Sequence, residues 1–248
     1  MMLEAHLRRT AEKFWESAGH IKSKCPRDIE SAIAWSVPLF VVRIPKLSVH
    51  AVENYLRQRQ LPAVIGAMDR PLHGCVIAMR GKGVVIVNGT DSPDEVRFTI
   101  AHEVSHFLLD YQQPRLMTIE KLGSGIEEVL DGRRPPRPEE RIDALLANIQ
   151  LGLYSHFMHR DNAGSVAGPV LEAESQADRL AFELIAPETA VWQELPKLFY
   201  SQPYNTRVLT LRRLLLRRFG MPIGAAREYA ARLCRSRFGG VSVREWLG

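Results

Sequence analysis

The sequence predicts an α+β fold with a small mixed or antiparallel sheet, a helix carrying His-Glu-x-x-His, and a C-terminal helical pair. Three observations predict it. Two short β-branched runs, Cys75-Val76-Ile77-Ala78-Met79 and Val84-Val85-Ile86-Val87, flank a glycine turn at Gly81-Lys82-Gly83, the pattern of a hairpin. Ser92-Pro93-Asp94-Glu95 then reads as a helix start, with Ser92 as N-cap, Pro93 in the first helical position and Glu95 completing a capping box. The final segment shows apolar residues at helical spacing, interrupted at Gly220-Met221-Pro222 like a helix-turn-helix.

The remaining elements follow in order. Residues 1–20 mix acids, bases and apolar residues at helical spacing, and Pro26 suits the first turn of a second helix. Leu39-Phe40-Val41-Val42-Arg43-Ile44 reads as a strand, and Ser48 as the cap of a helix with Val52, Tyr55 and Leu56 on one face. The helix opened by Ser92 runs through Asp110. Arg133-Arg134-Pro135-Pro136-Arg137-Pro138 breaks the pattern as a loop, a helix follows from Pro138 to about Leu151, and His159 to Gly168 is loop. A helix over 170–185 ends at Ala186-Pro187, and the tail holds helices at about 206–219 and 223–235. The predicted organisation is a domain over 1–195, with an inserted region at about 112–168, followed by a basic helix-turn-helix-like segment over 205–248.

Composition narrows the function classes. An apolar fraction of 46% and a charged fraction of 25% are those of a soluble globular chain. No signal-peptide core or membrane-length apolar run is seen, and Cys25, Cys75 and Cys234 lack paired-ligand spacing, so the expectation is a cytoplasmic protein with reduced thiols. The net charge of +5 is unevenly placed. Asn205 to Gly248 holds ten arginines, no lysine and two acids, so the basic character belongs to the tail.

The chemistry lies at His102-Glu103-Val104-Ser105-His106. Residues four apart share a helix face, so both imidazoles can reach one Zn²⁺ while Glu103 reaches a water beside it. Zinc lowers the pKa of its water from about 15.7 to roughly 7, within reach of a carboxylate base. Other divalent ions, manganese among them, fit the same donors. A catalytic zinc keeps three protein ligands and an open position. The candidate third ligand is Glu174, seven residues before Ala181 and so on the apolar stripe of Ala177, Leu180, Ala181, Leu184 and Ile185. Glu172 falls instead with Gln176, Arg179 and Glu183. Asp178, one turn beyond Glu174, can accept the free ring N–H of a ligating histidine. The alternative is that Glu174 and Asp178 cap or salt-bridge an exposed turn.

These two motifs carry a resemblance. RFTIAHEVSHFLL, followed by ESQADRLAFELIAP, resembles the ImmA/IrrE family of zinc metallopeptidases over about residues 35–190. The resemblance implies a compact zincin-like fold, with His102, His106 and Glu174 as zinc ligands and Glu103 as general base, a gluzincin-type site. It further implies cleavage of a helix-turn-helix transcriptional repressor, relieving repression of stress-response or mobile-element genes. The 67 residues between His106 and Glu174 exceed the family's usual spacing.

Tyr154, His156 and His159 in the inserted region are candidate oxyanion donors, alongside ordinary packing roles. An exposed edge of the 75–88 hairpin can pair with a peptide substrate or be purely structural. The tail's arginines can pack against the domain, grip a protein partner, or touch DNA phosphates. The second reading is therefore a non-proteolytic regulatory protein that binds DNA or a repressor through the tail and keeps a structural zinc.

Overall fold

A hairpin forms the middle of the sheet. In the computed structural model, which describes residues 2–19, 24–61, 68–141, 153–159 and 168–239, β2 (Leu72–Met79) and β3 (Lys82–Asn88) pair antiparallel around Arg80 and Gly81. Both turn residues have positive φ, 54° and 75°, the two-residue turn whose twist matches that of the strands. Strand β1 (Leu39–Ile44) lies parallel to β3, and β4 (Tyr154–His159) lies antiparallel to β2. The order β1-β3-β2-β4 makes a four-stranded mixed sheet.

Both faces of the sheet are covered, so the strands alternate between two apolar environments. Cys75, Ile77 and Ile86 face α3 (Val49–Gln58), against Val49, Val52 and Leu56. Val76, Ala78, Val85 and Val87 face the main core, which holds α4 (Pro93–His106). Ser48 caps α3 and Ser92 caps α4 as expected, each oxygen accepting the N–H three residues on, from Ala51 and Glu95. Predicted boundaries move. The hairpin turn falls at Arg80-Gly81 and not at Gly81-Lys82-Gly83, with Lys82 and Gly83 inside β3. Asp28, not the Pro26 turn, starts α2 (Ile29–Ser36), because its carboxylate accepts the Ser31 N–H at 3.0 Å.

Helix α4 continues without a break into a π-helical stretch, Phe107–Gln112, and then α5 (Gln113–Leu122). After the short α6 (Glu127–Leu130), the helix expected from Pro138 to Leu151 lies mostly outside the described residues, as does most of the expected 159–168 loop. Strand β4 follows in a stretch to which the sequence reading assigned no element. Helix α7 (Gly168–Ile185) packs on α4, with Phe182 stacked on Phe98 at 5.9 Å between ring centroids. On its other flank is α1 (Met2–Ser17), whose Trp15 indole N–H donates to Leu184 O at 3.1 Å.

The short α8 (Glu188–Gln193) leads to the terminal pair, α9 (Tyr204–Phe219) and α10 (Ile223–Phe238). Gly220 ends α9 in the left-handed conformation, and its carbonyl accepts from Arg97 on α4 at 2.9 Å. Leu211, Leu215, Phe219, Ala226, Tyr229 and Leu233 belong to the same core as α4 and α7. Tyr229 stacks on Phe182 at 4.7 Å and donates to Ala186 O at 3.1 Å.

Gly74 sets how closely α4 approaches the sheet. A Cβ there would lie 2.4 Å from Thr99 Cγ2 and 3.1 Å from Ile86 O. Gly74→Ala is expected to lower stability by about 1–3 kcal/mol through overpacking. Adding Thr99→Ser, which removes that methyl, should restore part of the loss in a chemical-denaturation double-mutant cycle. Strict additivity of the two changes would mean that this contact does not limit the packing.

Candidate metal centre

The site begins with polar side chains placed where the fold is driest. Every α4 residue from Phe98 to His106 is buried, and Glu103 has no exposed surface. Burying such groups is costly unless they are hydrogen-bonded, paired or bound to a cation. His102 and His106, one turn apart, turn their Nε2 atoms toward each other at 3.1 Å. Each Nδ1 meets a carboxylate: His102 meets Asp178 Oδ1 on α7 at 2.9 Å, and His106 meets Asp110 Oδ2 in the π-helical stretch at 2.6 Å. A carboxylate only accepts, so both Nδ1 atoms carry protons and the Nε2 atoms are left as bases.

A third base arrives from α7. Glu174 Oε2 stands 3.3 Å from His102 Nε2 and 3.6 Å from His106 Nε2. Strand β4 supplies a fourth group. His156 stacks on His106, with ring centroids 3.6 Å apart, and each of its nitrogens meets a different glutamate. Nε2 lies 2.7 Å from Glu174 Oε1, and Nδ1 lies 3.0 Å from Glu103 Oε2. Glu103 Oε1 is buried with no hydrogen-bond partner.

This concentration of carboxylates draws positive charge. Burial opposes charging His102, but Asp178 and Glu174 outweigh it and lift its pKa to about 9. Burial also opposes charging His156, and Glu103 and Glu174 carry it up to about 10. Burial works to raise the Glu174 pKa, yet hydrogen bonds from His102, His106 and His156 hold it far below the usual carboxylate range. The Tyr154 hydroxyl is pushed up, first by burial and then by Asp110 and Glu103.

The donor set fits a metal cation. Ligand atoms about 2.0–2.2 Å from a tetrahedral zinc stand roughly 3.3–3.6 Å apart. The three separations among His102 Nε2, His106 Nε2 and Glu174 Oε2 are 3.1, 3.3 and 3.6 Å. Three bases converge with no neutral donor between them, an arrangement that calls for a proton or a metal at its centre. His102, His106, His156 and Glu174 each offer a ligand atom, all within 4.8 Å of one another.

The structure thus brings together His102, Glu103, His106, Glu174 and Asp178. Glu172 stays exposed on the far side, accepting from Gln176 at 3.3 Å. Tyr154 lies two residues before His156 on β4, with its hydroxyl 3.3 Å from Asp110 Oδ2. His159 ends that strand. Two partnerships were missed in the sequence: Asp110 with His106, and His156 with both glutamates. The first had a signal, since Asp110 is four residues past His106 and so on its face. Of the two readings of the 75–88 hairpin, the structural one holds: it exposes no edge for a peptide, because β1 covers β3 and β4 covers β2. Beside the metal centre, the edge strand is β4.

Residues 62–128 match the Peptidase_M78 family, described as the IrrE N-terminal-like domain. The match spans the hairpin and the His-Glu-x-x-His helix and supports the ImmA/IrrE resemblance and a metallopeptidase-like role. No curated protein matched the chain. Among the described residues, no helix is long and apolar enough to cross a membrane.

The raised histidine values make the metal-free protein pH-sensitive in a defined direction. Both lie above the ordinary 6.5, so protonation stabilises the fold below about pH 6.5, and that stabilisation is lost as pH climbs through 9 and 10. A divalent ion competes with these protons, so its affinity should rise over the same interval. Thermal unfolding of metal-free protein and zinc titrations across this range would check both trends. A metal-free melting temperature that does not fall would contradict the assigned charges.

Proposed function

We propose that this chain is a zinc-dependent endopeptidase with a gluzincin-type site on a zincin-like fold. His102, His106 and Glu174 would hold the ion, and Glu103 is the general base. The observation that carries this reading is Glu103 itself. A fully buried carboxylate, with one oxygen free beside three converging ligand atoms, has no evident structural purpose.

A zinc ion held there would act as a Lewis acid toward a water and the scissile carbonyl. The chain's residues do the rest. Asp178 and Asp110 accept the Nδ1 protons of His102 and His106, fixing the tautomer and aim of each ring. Glu103 takes a proton from the attacking water at Oε1 and delivers it to the leaving amine. Strand β4 borders the site and can align an extended peptide by main-chain pairing. For the oxyanion we favour Tyr154 over His156, because its hydroxyl would give up one 3.3 Å contact with Asp110, whereas both nitrogens of His156 meet glutamates at 3.0 Å or less.

The protein substrate we favour is a helix-turn-helix transcriptional repressor whose removal derepresses stress-response or mobile-element genes, acting in the cytoplasm. The family resemblance supports this. A second reading is favoured by one observation: His156 adds a fourth donor, and four protein ligands would close the sphere as in structural zinc sites. The chain would then be a regulatory protein gripping DNA or a repressor through the arginines of 205–248.

Glu103→Gln discriminates between the readings. The variant should still bind zinc while cleavage of a repressor encoded beside this gene falls by about 10²–10⁴-fold. Cleavage or inactivation of that repressor at the parent's rate would exclude proteolysis through this site.

A further inference from the structure

Two glutamates with opposite duties stand at one site, and each has two equivalent oxygens. Glu174 must meet a metal without filling its open position. Glu103 must keep a base directed at the water. Nothing in a carboxylate alone decides which oxygen does what, and a free glutamate can chelate through both.

The oxygens here are already divided. Glu174 turns Oε2 toward His102 and His106, while Oε1 meets His156 Nε2 at 2.7 Å. Glu103 directs Oε2 to His156 Nδ1 at 3.0 Å and leaves Oε1 without a partner. One imidazole therefore touches one oxygen of each glutamate. We infer that His156 is a positioning residue, a strut that reserves Oε2 of Glu174 for the metal and Oε1 of Glu103 for the water. This inference rests on the peptidase reading above.

The strut is itself held firmly. His156 pairs with Val76 in the β4–β2 ladder, and Val76 is fully buried against α4. Its ring lies on His106, 22° from parallel, so it cannot swing without leaving that face. The geometry speaks against two other roles. A fourth ligand would have to give up the 2.7 Å contact with Glu174, and an oxyanion donor would have to release one of the two glutamates.

The test uses the full-length protein loaded with Zn²⁺ or Co²⁺, comparing the parent with His156→Ala and His156→Gln. Zinc X-ray absorption should count two imidazoles in the parent and two in both variants. Zinc affinity, read by chelator competition, should fall about 10–100-fold in His156→Ala, the usual effect of losing a group that orients a ligand. His156→Gln, which keeps one N–H donor, should fall less. Visible absorption of the cobalt form should be intense in the parent, as for four-coordinate Co²⁺, and weaker in His156→Ala, where Glu174 is free to chelate through both oxygens. A third imidazole in the parent would make His156 a ligand and overturn the inference. So would unchanged affinity and spectrum in His156→Ala. Should His156→Ala fail to fold, the His156→Gln spectrum and the parent's imidazole count decide the matter. A parent that binds neither metal, or a fully active Glu103→Gln, would instead remove the peptidase reading itself.

Discussion

Glu103 has no exposed surface, and the placement of its neighbours answers the problem that burial poses. An unpaired carboxylate in a protein interior is costly enough that it normally protonates, pairs or binds a cation. Here one buried histidine directly precedes it and another follows three residues on, and His156 reaches it from β4. The remaining carboxylates stand in a ring around the histidines. Asp178 and Asp110 lie behind them, and Glu174 faces their open nitrogens. His102 and His106 therefore each have one nitrogen committed to a carboxylate and one directed inward, and the inward nitrogens and Glu174 Oε2 enclose a place for positive charge.

Such an arrangement needs a scaffold that does not yield. Helix α4 is pressed onto β2 at Gly74 and held on its other flank by α7. The switch to π-helical geometry at Phe107 follows immediately after His106, and single π-helical stretches often occur at functional sites. Asp110, within that stretch, meets the His106 ring. Across the site, β4 carries Tyr154, His156 and Met158 on the α4 face, while Phe157 packs toward α3. The side chains of the site come from three parts of the chain, α4 with its π-helical extension, α7 and β4, and the sheet and α7 fix their relative positions.

The parts of the site legible in the sequence were those written in local periodicity. His102 and His106 share a face because they are four apart, and Glu174 and Asp178 were found by following one helical stripe. Asp110 obeys the same rule but was read only as the end of its helix. His156 was noticed without its role. Its contacts depend on β4 pairing with β2, a relation between distant segments that no local pattern encodes, although Tyr154-Ser155-His156-Phe157-Met158 does alternate as a strand should. The choice between an exposed and a covered hairpin edge stays open in the sequence for the same reason. Strand order is a tertiary property, and β1 and β4 occupy both edges. The α4 cap, the hairpin turn and the end of α7 were legible because serine, glycine and proline act there through local geometry.

The sequence left three readings of the arginine-rich tail open, packing against the domain among them, and its apolar half belongs to the body of the molecule. Tyr229 stacks on Phe182, Phe182 stacks on Phe98, and the Phe98 ring lies 6.3 Å from that of His102, one turn further along α4. This line of packed rings runs from α10 through α7 to the metal centre. Some of the tail's charge is also turned inward: Arg207 lies over Phe238, and Arg237 lies over Trp192 and Tyr200, cation–π contacts that fasten the segment to itself and to α8. Interiors packed this closely transmit displacement rather than absorb it. A partner that moved α10 would therefore act on the helix that presents Glu174 and Asp178, so any binding surface on the tail is mechanically continuous with the chemistry.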